Sequence, residues 1–190
     1  MREFLLLHWT LITQLVIGLS LFAVGWSCLA VMWGAPWIPS SSGTVKKMLS
    51  MAEVKPGQQV VDLGAGDGRV VILAAKLFGA QAVGVEIDPL RCLMANALIR
   101  VRGLHRQAHV YHGNLFDFDL TQADVVVLYL WQSTNQKLKA RIDEQLRPGA
   151  KVVSHSFSMS GWTPVALDDT KGIFMYEIGN VAADVPTKFV

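Results

Sequence analysis

Five short valine-rich segments alternate with segments of helical pattern, and this alternation constrains the fold more than any other feature of the chain. The valine-rich segments lack the polar alternation of a half-buried strand, which is typical of parallel strands covered on both faces. They cover residues 59–63, 82–86, 108–111, 123–130 and 150–157. Strands and helices that alternate in this way connect by right-handed crossovers, so the pattern predicts an α/β, doubly wound, mostly parallel sheet.

The helices of this pattern carry their own end signals. Asp88 and Pro89 are suited to the N-cap and first-turn positions of one helix, and Gly79 follows the last residue of another. The predicted helices cover residues 44–53, 69–78 and 89–101, with a fourth around residues 138–146. After the last helix, residues 163–167 and 173–178 flank a turn and predict an antiparallel hairpin.

A glycine-rich turn follows the first strand, in the sequence Asp62-Leu-Gly64-Ala65-Gly66. Gly64 and Gly66 permit positive φ and let a ligand approach the backbone, and the following helix offers free amide groups. Dinucleotide sites use a similar turn, but here the third glycine, Gly68, comes one residue early and Asp62 would repel a pyrophosphate. A carboxylate at this place attracts a cationic amino group, which favours S-adenosylmethionine over a dinucleotide.

Polar residues also follow the next two strands. Glu86 ends the second strand roughly 20 residues after Gly66, where a carboxylate can accept both hydroxyls of a ribose. Ile87, beside it, can cover a face of the adenine ring. Asn114, after the third strand, can read the adenine amino group. Because all these residues follow the carboxyl ends of successive parallel strands, we expect them to converge on one ligand.

These residues resemble the class I, seven-strand S-adenosylmethionine-dependent methyltransferases, over about residues 44–180. A closer resemblance is to a prokaryotic group related to the membrane-anchored mitochondrial protein-lysine methyltransferases of the ATP-synthase c-subunit and adenine nucleotide translocase type. It rests on motifs that include Pro36-Trp-Ile-Pro-Ser-Ser41, Leu128-Tyr-Leu130 and Leu146-Arg-Pro-Gly149. The resemblance implies a Rossmann-like methyltransferase sheet of seven strands that ends in the antiparallel hairpin.

The resemblance also implies the contacts of the cofactor, S-adenosylmethionine. Ser40 or Ser41 is expected to reach the methionine carboxylate. The other expected contacts are Asp62, Gly64, Ala65 and Gly66 at the methionine end, Glu86 at the ribose, and Asn114 with Leu115 at the adenine. This chain departs from its relatives at Trp131-Gln132, where they tend to carry Leu-Pro, and at Asn114, where many carry Asp. The first departure concerns the acceptor pocket.

An apolar leader precedes the predicted domain. Residues 4–45 contain no Asp, Glu, Lys or Arg, whereas 17% of the whole chain is charged. About 20 apolar residues suffice to cross a bilayer, so we expect one N-terminal transmembrane anchor over residues 4–33. A juxtamembrane linker over residues 34–43 and the methyltransferase domain over residues 44–190 would follow. The alternative is a cleaved signal peptide, but the apolar stretch is long for one and no convincing cleavage site follows.

Charge and cysteine content limit the partners. Arg2 is the only basic residue before the apolar leader and several lysines follow it, which predicts a single-pass inner-membrane protein with a cytoplasmic catalytic domain. The net charge is +2 and no long basic run occurs, so we expect no nucleic-acid partner. The two cysteines, Cys28 and Cys92, are too few for a disulfide framework or a zinc site, and we expect no bound metal.

The methyl acceptor is expected at the end of the fourth strand. Methyl transfer from a sulfonium is an in-line displacement, so the chain chiefly has to align a neutral nucleophile and exclude water. Tyr129 and Trp131 are the candidate catalytic residues, because an aromatic channel can hold a lysine ammonium while it loses its proton. Their alternative role is packing at the rim, and we interpret His155 as a buried, hydrogen-bonded histidine rather than a base.

Three functions remain open at this point. The first is N-methylation of a lysine on a membrane-associated protein, because tethering raises the effective concentration of a partner at the same surface. The second is methylation of a lipid-soluble small molecule. The third is a membrane-tethered module that binds S-adenosylmethionine without turnover.

Overall fold

The computed structural model describes residues 8–21, 25 and 40–179. The chain divides into two compact units, Met1–Ile38 and Pro39–Val190. Residues 8–21 are helical, but no helix among the described residues is both long and apolar enough to cross a membrane. The transmembrane helix predicted over residues 4–33 is therefore not confirmed, and apart from residues 8–21 and 25 that range lies outside the described residues.

The second unit contains a sheet of seven strands in the order β3-β2-β1-β4-β5-β7-β6. The first five strands in the chain run parallel, and β7 pairs antiparallel with both β5 and β6. This arrangement confirms the predicted α/β, mostly parallel sheet with an antiparallel C-terminal hairpin. The strands are β1 Gln59–Leu63, β2 Gln81–Glu86, β3 Ala108–His112, β4 Val125–Leu128, β5 Lys151–His155, β6 Ala166–Asp168 and β7 Ile173–Glu177.

Within residues 40–179, four helices accompany the sheet: α1 Ser42–Met51, α2 Arg69–Phe78, α3 Pro89–Val101 and α4 Gln132–Gln145. The bounds of α2 and α3 are as predicted, and the Asp88 side chain caps α3 by accepting hydrogen bonds from the amides of Leu90 and Arg91. The helix α1 begins two residues earlier than predicted, because the Ser41 hydroxyl accepts a 3.1 Å hydrogen bond from the amide of Thr44 and so acts as its N-cap.

The strands β4 and β5 are shorter than the valine-rich segments that predict them. In β4 the last paired residue is Leu128, whose partner Leu63 is the final residue of β1. Beyond Leu128 the neighbouring strand β1 has ended, and residues 129 and 130 lie outside the ladder although their side chains favour strands. The carboxyl end of β4 therefore coincides with the end of β1 and does not follow from the composition of β4.

Two apolar layers cover the faces of the sheet. Because successive side chains of a strand point to opposite faces, Val60 packs into one layer and Val61 into the other. The first layer contains buried side chains of α1, α2 and α3, and the second contains Leu138 and Ile142 of α4. The order of strands reverses between β1 and β4, and ligands of such sheets bind at the carboxyl ends of the strands that flank this point.

Candidate active site

The turn between β1 and α2 lies at this reversal point. Gly64 and Gly66 have φ values of +90° and +55°, in the left-handed region that favours glycine. The amides of Gly64 and Ala65 both donate 2.9 Å hydrogen bonds to the carbonyl oxygen of Val85 in β2. The turn is thus fixed to the neighbouring strand and exposes Gly64 at the edge of the sheet.

Close packing against β2 is also visible at Gly84. A Cβ atom placed on Gly84 would lie 2.5 Å from the Cβ of Ala65, so any larger residue would push the turn away from the sheet. No local sequence pattern indicates this requirement. Only the pairing of Gly84 with Asp62 in the ladder between β1 and β2 brings Gly84 beneath the turn.

Glu86 joins two loops of the site. Its side chain is buried, and Oε2 accepts a 2.7 Å hydrogen bond from the amide of Gly66. Its other oxygen, Oε1, accepts a 2.9 Å hydrogen bond from the amide of Asp88 and lies 4.0 Å from a guanidinium nitrogen of Arg91. Each carboxylate oxygen retains a second lone pair, so this held carboxylate can still accept hydrogen bonds from a pair of hydroxyls.

Asp62 is a buried carboxyl at the end of β1, with 5% of its surface exposed. Burial, together with the nearby charges of Glu86 and Asp67, raises the pKa of Asp62 to about 8. Within residues 40–179 no hydrogen bond or cation counters these effects. A ligand with a cationic amino group would supply the missing counter-charge, so the site fits the amino end of S-adenosylmethionine on electrostatic grounds.

The predicted adenine contacts lie on the loops that follow β2 and β3. The two loops are joined, because the Gly113 amide donates a 3.0 Å hydrogen bond to the carbonyl oxygen of Glu86. Ile87 is 44% exposed, Asn114 is exposed and Leu115 is half-buried. The Oδ1 atom of Asn114 accepts a 3.1 Å hydrogen bond from the Phe116 amide and retains one lone pair for a further donor.

Aromatic side chains follow the ends of β4 and β5. The rings of Tyr129 and His155 lie 4.2 Å apart between centroids, and those of Trp131 and Phe157 lie 5.8 Å apart. We call these four residues the aromatic wall. Leu130 faces the glycine turn, since a Cβ on Gly64 would lie 3.0 Å from its Cδ2 atom. The aromatic wall and the turn are therefore neighbours at one edge of the sheet.

His155 is half-buried and hydrogen-bonded, in agreement with its interpretation from the sequence. Its Nδ1 atom lies 3.1 Å from the Ser40 hydroxyl oxygen. Burial lowers the pKa of His155, although a hydrogen bond with the backbone of Lys171 acts in the opposite direction. At neutral pH the imidazole is therefore mostly uncharged, and it orients Tyr129 through their ring contact.

The two serines expected at the methionine carboxylate have other partners. Ser41 caps α1, whereas Ser40 contacts His155 through its hydroxyl and accepts a hydrogen bond from Arg69 at its carbonyl oxygen. Arg69 is held in turn by Asp67, with 2.9 Å between Nε and Oδ1. Sequence reasoning missed this connection. Its one local signal is Arg69 itself, at the position where dinucleotide sites carry the third glycine.

Asn135 is a further buried polar residue of the site. It lies in the first turn of α4, and its Nδ2 atom donates a 3.2 Å hydrogen bond to the Ser154 hydroxyl and a 3.4 Å bond to the carbonyl oxygen of Phe157. Among the described residues its Oδ1 atom has no hydrogen-bond partner. Asn135 thus connects α4 to the end of β5 and positions the backbone of Phe157 beside Trp131.

A comparison with protein families identifies the domain. The family described as "ANTKMT methyltransferase domain" matches residues 62–166, which is more than half of the chain. The chain belongs to this family. It is an S-adenosylmethionine-dependent methyltransferase of the class I fold, as the sequence predicts. Within the described ranges, no group of three His, Cys, Asp or Glu residues is placed to hold a metal ion.

Individual relatives of this methyltransferase carry different names. A "Protein-lysine N-methyltransferase" of Saccharolobus islandicus (strain REY15A) is 38% identical, and the match covers 76% of this chain and 94% of that protein. The lysine N-methyltransferase of the ATP-synthase c-subunit from Rattus norvegicus is 32% identical over 72% of this chain, but the match spans only 61% of the rat protein.

A solved structure supports the cofactor. It is described as an RNA methyltransferase from Salinibacter ruber in complex with S-adenosyl-L-homocysteine. It is 38% identical, with a TM-score of 0.74, and the match covers 78% of this chain and 99% of that one. The names of the three relatives thus agree on methyl transfer, whereas the named acceptors are proteins in two cases and RNA in the third.

Proposed function

We propose that this methyltransferase transfers a methyl group to the ε-amino group of a lysine on a membrane-associated protein. The observation that carries the proposal is the aromatic wall beside the glycine turn. Tyr129 and Trp131 are each paired with a residue that follows or ends β5, and Trp131 is 46% exposed. Aromatic faces attract a desolvated ammonium group, which is the charged form of a lysine side chain.

The cofactor contacts are part of the proposal. The buried Asp62 carboxyl would pair with the amino group of the methionine moiety, and Glu86 would accept the ribose hydroxyls with the lone pairs left by its two backbone donors. The remaining proposed contacts are Gly64, Ala65 and Gly66 in the turn, and Ile87, Asn114 and Leu115 around the adenine.

The residues of the acceptor side would align and desolvate the amine. S-adenosylmethionine, when bound, supplies a methyl group on a sulfonium sulfur. Tyr129 and Trp131 would hold the lysine side chain in line with that group while its ammonium group releases a proton to solvent and becomes the neutral amine. No strong base is required, because the neutral amine is itself a good nucleophile. His155 orients Tyr129 and Asn135 positions Phe157, so we regard both as positioning residues.

The names of the relatives support a lysine acceptor, and one of them supports a second candidate. The Saccharolobus islandicus and rat proteins are both named as lysine methyltransferases. The Salinibacter ruber protein, which this chain matches over almost the whole of its length, is named as an RNA methyltransferase. RNA is therefore the alternative acceptor, and a lipid-soluble small molecule is the third.

The membrane location is proposed from the sequence alone. Residues 4–33 would form a single transmembrane anchor, residues 34–43 a linker, and residues 44–190 the catalytic domain on the cytoplasmic side of the inner membrane. The support is the absence of Asp, Glu, Lys and Arg from residues 4–45, together with the lysines that follow. A tether of this kind concentrates the enzyme near acceptors at the same surface.

The experiment is methyl transfer by the full-length chain from labelled S-adenosylmethionine to a cell extract, with membranes included, from a strain that lacks the gene. The products are divided by protease digestion, nuclease digestion and organic extraction. Label that is lost to protease and recovered as methylated lysine after hydrolysis supports the proposal. Label that is lost to nuclease would instead identify RNA as the acceptor, and label that is extracted into organic solvent would identify a lipid-soluble molecule.

Two variants control this experiment. Glu86→Gln should lower transfer into every fraction at limiting S-adenosylmethionine, because it alters a proposed cofactor contact. Glu144→Gln, which changes an exposed carboxylate on α4, should transfer as much label as the natural chain. Binding of S-adenosylmethionine without transfer into any fraction would instead show a module without turnover.

A further inference from the structure

The outward side of α3 is apolar although it faces solvent. The helix buries Cys92, Ala95 and Ile99 against the sheet. On the opposite side, Leu93 is 66% exposed and Val101 is 86% exposed. The exposed large apolar residues of this side are Leu90, Leu93, Met94, Leu98 and Val101, and we call them the α3 apolar face. Soluble surfaces rarely carry such a contiguous apolar patch without a partner.

Helical geometry makes the α3 apolar face continuous. At roughly 100° per residue, Leu90, Met94 and Val101 point within about 40° of one another, and Leu93 and Leu98 extend the face to an arc of roughly 140°. Arg100 follows next to Leu93 on one border, and Arg91 and Arg102 follow next to Leu98 on the other. An apolar face with basic residues along both borders is typical of helices that lie in the surface of a bilayer.

The charged residues of α3 and of the segment that follows it are all arginines. Between Asp88 and Asp117 the chain carries four arginines and no Asp or Glu. Arg91 is engaged by Asp88 and Glu86 near the start of α3. Arg100, Arg102 and Arg106 are exposed at and beyond its C-terminal end. The stems of such side chains can pass along apolar surface while their charged heads reach the phosphates of lipid head groups.

We propose that the α3 apolar face lies on the surface of a bilayer that contains anionic lipids. The α3 apolar face would enter the boundary between acyl chains and head groups, and the arginines would contact anionic phosphates. A second copy of the chain fits this face less well, because self-pairing would bring arginine borders together with no acidic residue to meet them. RNA would match the arginines but leave the α3 apolar face in water.

This inference is independent of the acceptor and of the N-terminal segment. It concerns a contact made by the methyltransferase domain itself, and it would hold for a lysine, an RNA or a lipid acceptor. The proposed contact would orient the domain. The helix α3 starts at Pro89, shortly after Glu86, and so begins at the edge of the sheet that carries the site. A bilayer against α3 would therefore hold that edge close to the membrane surface.

A spin label on the helix tests the proposal with the full-length chain. The label is attached at Val101→Cys in a chain that also carries Cys28→Ser and Cys92→Ala, and a matched label is attached at Gln136→Cys on the exposed side of α4. The chain is combined with vesicles of phosphatidylcholine alone or of phosphatidylcholine with phosphatidylglycerol at 7:3. Collision rates of each label with oxygen and with a water-soluble nickel chelate are measured by power saturation.

In the anionic vesicles, we expect the label at residue 101 to gain collisions with oxygen and lose collisions with the nickel chelate several-fold, while the label at residue 136 remains aqueous. Either Arg100→Glu or Arg102→Glu should lower the ratio of inserted to aqueous labels at residue 101 about 5-fold or more. The matched change Lys137→Glu, on an exposed part of α4, should leave it unaltered. Unchanged binding of S-adenosylmethionine verifies that each variant is folded.

Three results would overturn the proposal. The label at residue 101 could stay aqueous on chains that float with the anionic vesicles. It could become protected without vesicles as the protein concentration rises, which would show contact between copies of the chain. It could also become protected from the nickel chelate by RNA and not by vesicles, which would show that the arginines bind a nucleic acid.

Discussion

The amide of Gly66 donates a 2.7 Å hydrogen bond to Oε2 of Glu86, a residue 20 positions later in the chain. The second oxygen of the same carboxylate accepts from the amide of Asp88 at 2.9 Å. One buried side chain thus fixes both the turn after β1 and the loop after β2. The proposed ribose contact is therefore also a structural support of the turn that would hold the methionine moiety.

Glu86→Gln should weaken both functions. An amide replaces one acceptor oxygen by a donor, so one of the two backbone amides loses its acceptor, at a cost of about 1–3 kcal/mol in the free energy of unfolding. We expect the dissociation constant of S-adenosylmethionine to rise about 10-fold or more in titration calorimetry. Glu144→Gln is the control, and a Glu86→Gln chain that binds the cofactor like the natural one would show that Glu86 is not a contact.

Asp62 should make the stability of the ligand-free protein fall as the pH rises. Its pKa is about 8 in the folded chain and near 3.8 when unfolded, so the folded state binds the extra proton between these values. The resulting stabilisation is complete below the unfolded pKa and is lost as the pH rises through about 8. In thermal melts from pH 6 to 9, the melting temperature of Asp62→Asn should decline less than that of the natural chain. An equal decline would contradict the raised pKa of Asp62.

Asp62 should also release a proton when the cofactor binds. A carboxylate is needed to pair with the amino group, so below pH 8 binding has to remove the proton that Asp62 carries. Calorimetry at pH 6.5 in two buffers of different ionisation enthalpy measures this release directly. We expect close to one proton for the natural chain, none for Asp62→Asn, and an affinity loss of about 10- to 100-fold in that variant.

Gly84→Ala tests the packing of the turn on β2. The added Cβ would lie 2.5 Å from the Cβ of Ala65 in a rigid structure, so we expect a loss of about 1–3 kcal/mol in the free energy of unfolding and weaker cofactor binding. Gly113→Ala is matched, because a Cβ there meets nothing within 4 Å. Equal denaturation midpoints for the two variants would show that the turn can move without cost.

Trp131→Ala separates the acceptor side from the cofactor side. If Trp131 holds the lysine ammonium, its loss should lower kcat/KM for the acceptor by about 3- to 30-fold and leave cofactor affinity unchanged, and Trp131→Phe should recover most of the activity. The measurement is steady-state methyl transfer combined with cofactor titration. A parallel loss of cofactor affinity would instead assign Trp131 to packing of the site.

The sequence predicts elements well where their ends depend on local chemistry. The start of α3 follows from the Asp88 cap and Pro89, and the end of α2 follows from Gly79. The carboxyl end of β4 could not be predicted in this way, because it coincides with the point where β1 stops. Residues 129 and 130, which lie beyond the ladder, favour strands as much as the residues within it do.

The candidate site likewise contains some features that the local sequence predicts and others that depend on distant parts of the chain. The positions of Asp62 and Glu86 at strand ends follow from the alternating pattern, so their proximity is predictable from the sequence. The pairing of Ser40 with His155 joins residues 115 positions apart, and no local pattern indicates it. The raised pKa of Asp62 likewise depends on burial and on the placement of Glu86 and Asp67, which only the folded chain determines.

The position of β7 has a consequence for the order in which the sheet is completed. β7 lies between β5 and β6, and it is the last strand in the described part of the chain. During synthesis, β5 therefore keeps an unpaired edge, and β6 has no partner strand, until Ile173–Glu177 has left the ribosome. An open edge of this kind can pair with another chain. Until β7 is made, the nascent domain is thus prone to aggregate through this edge.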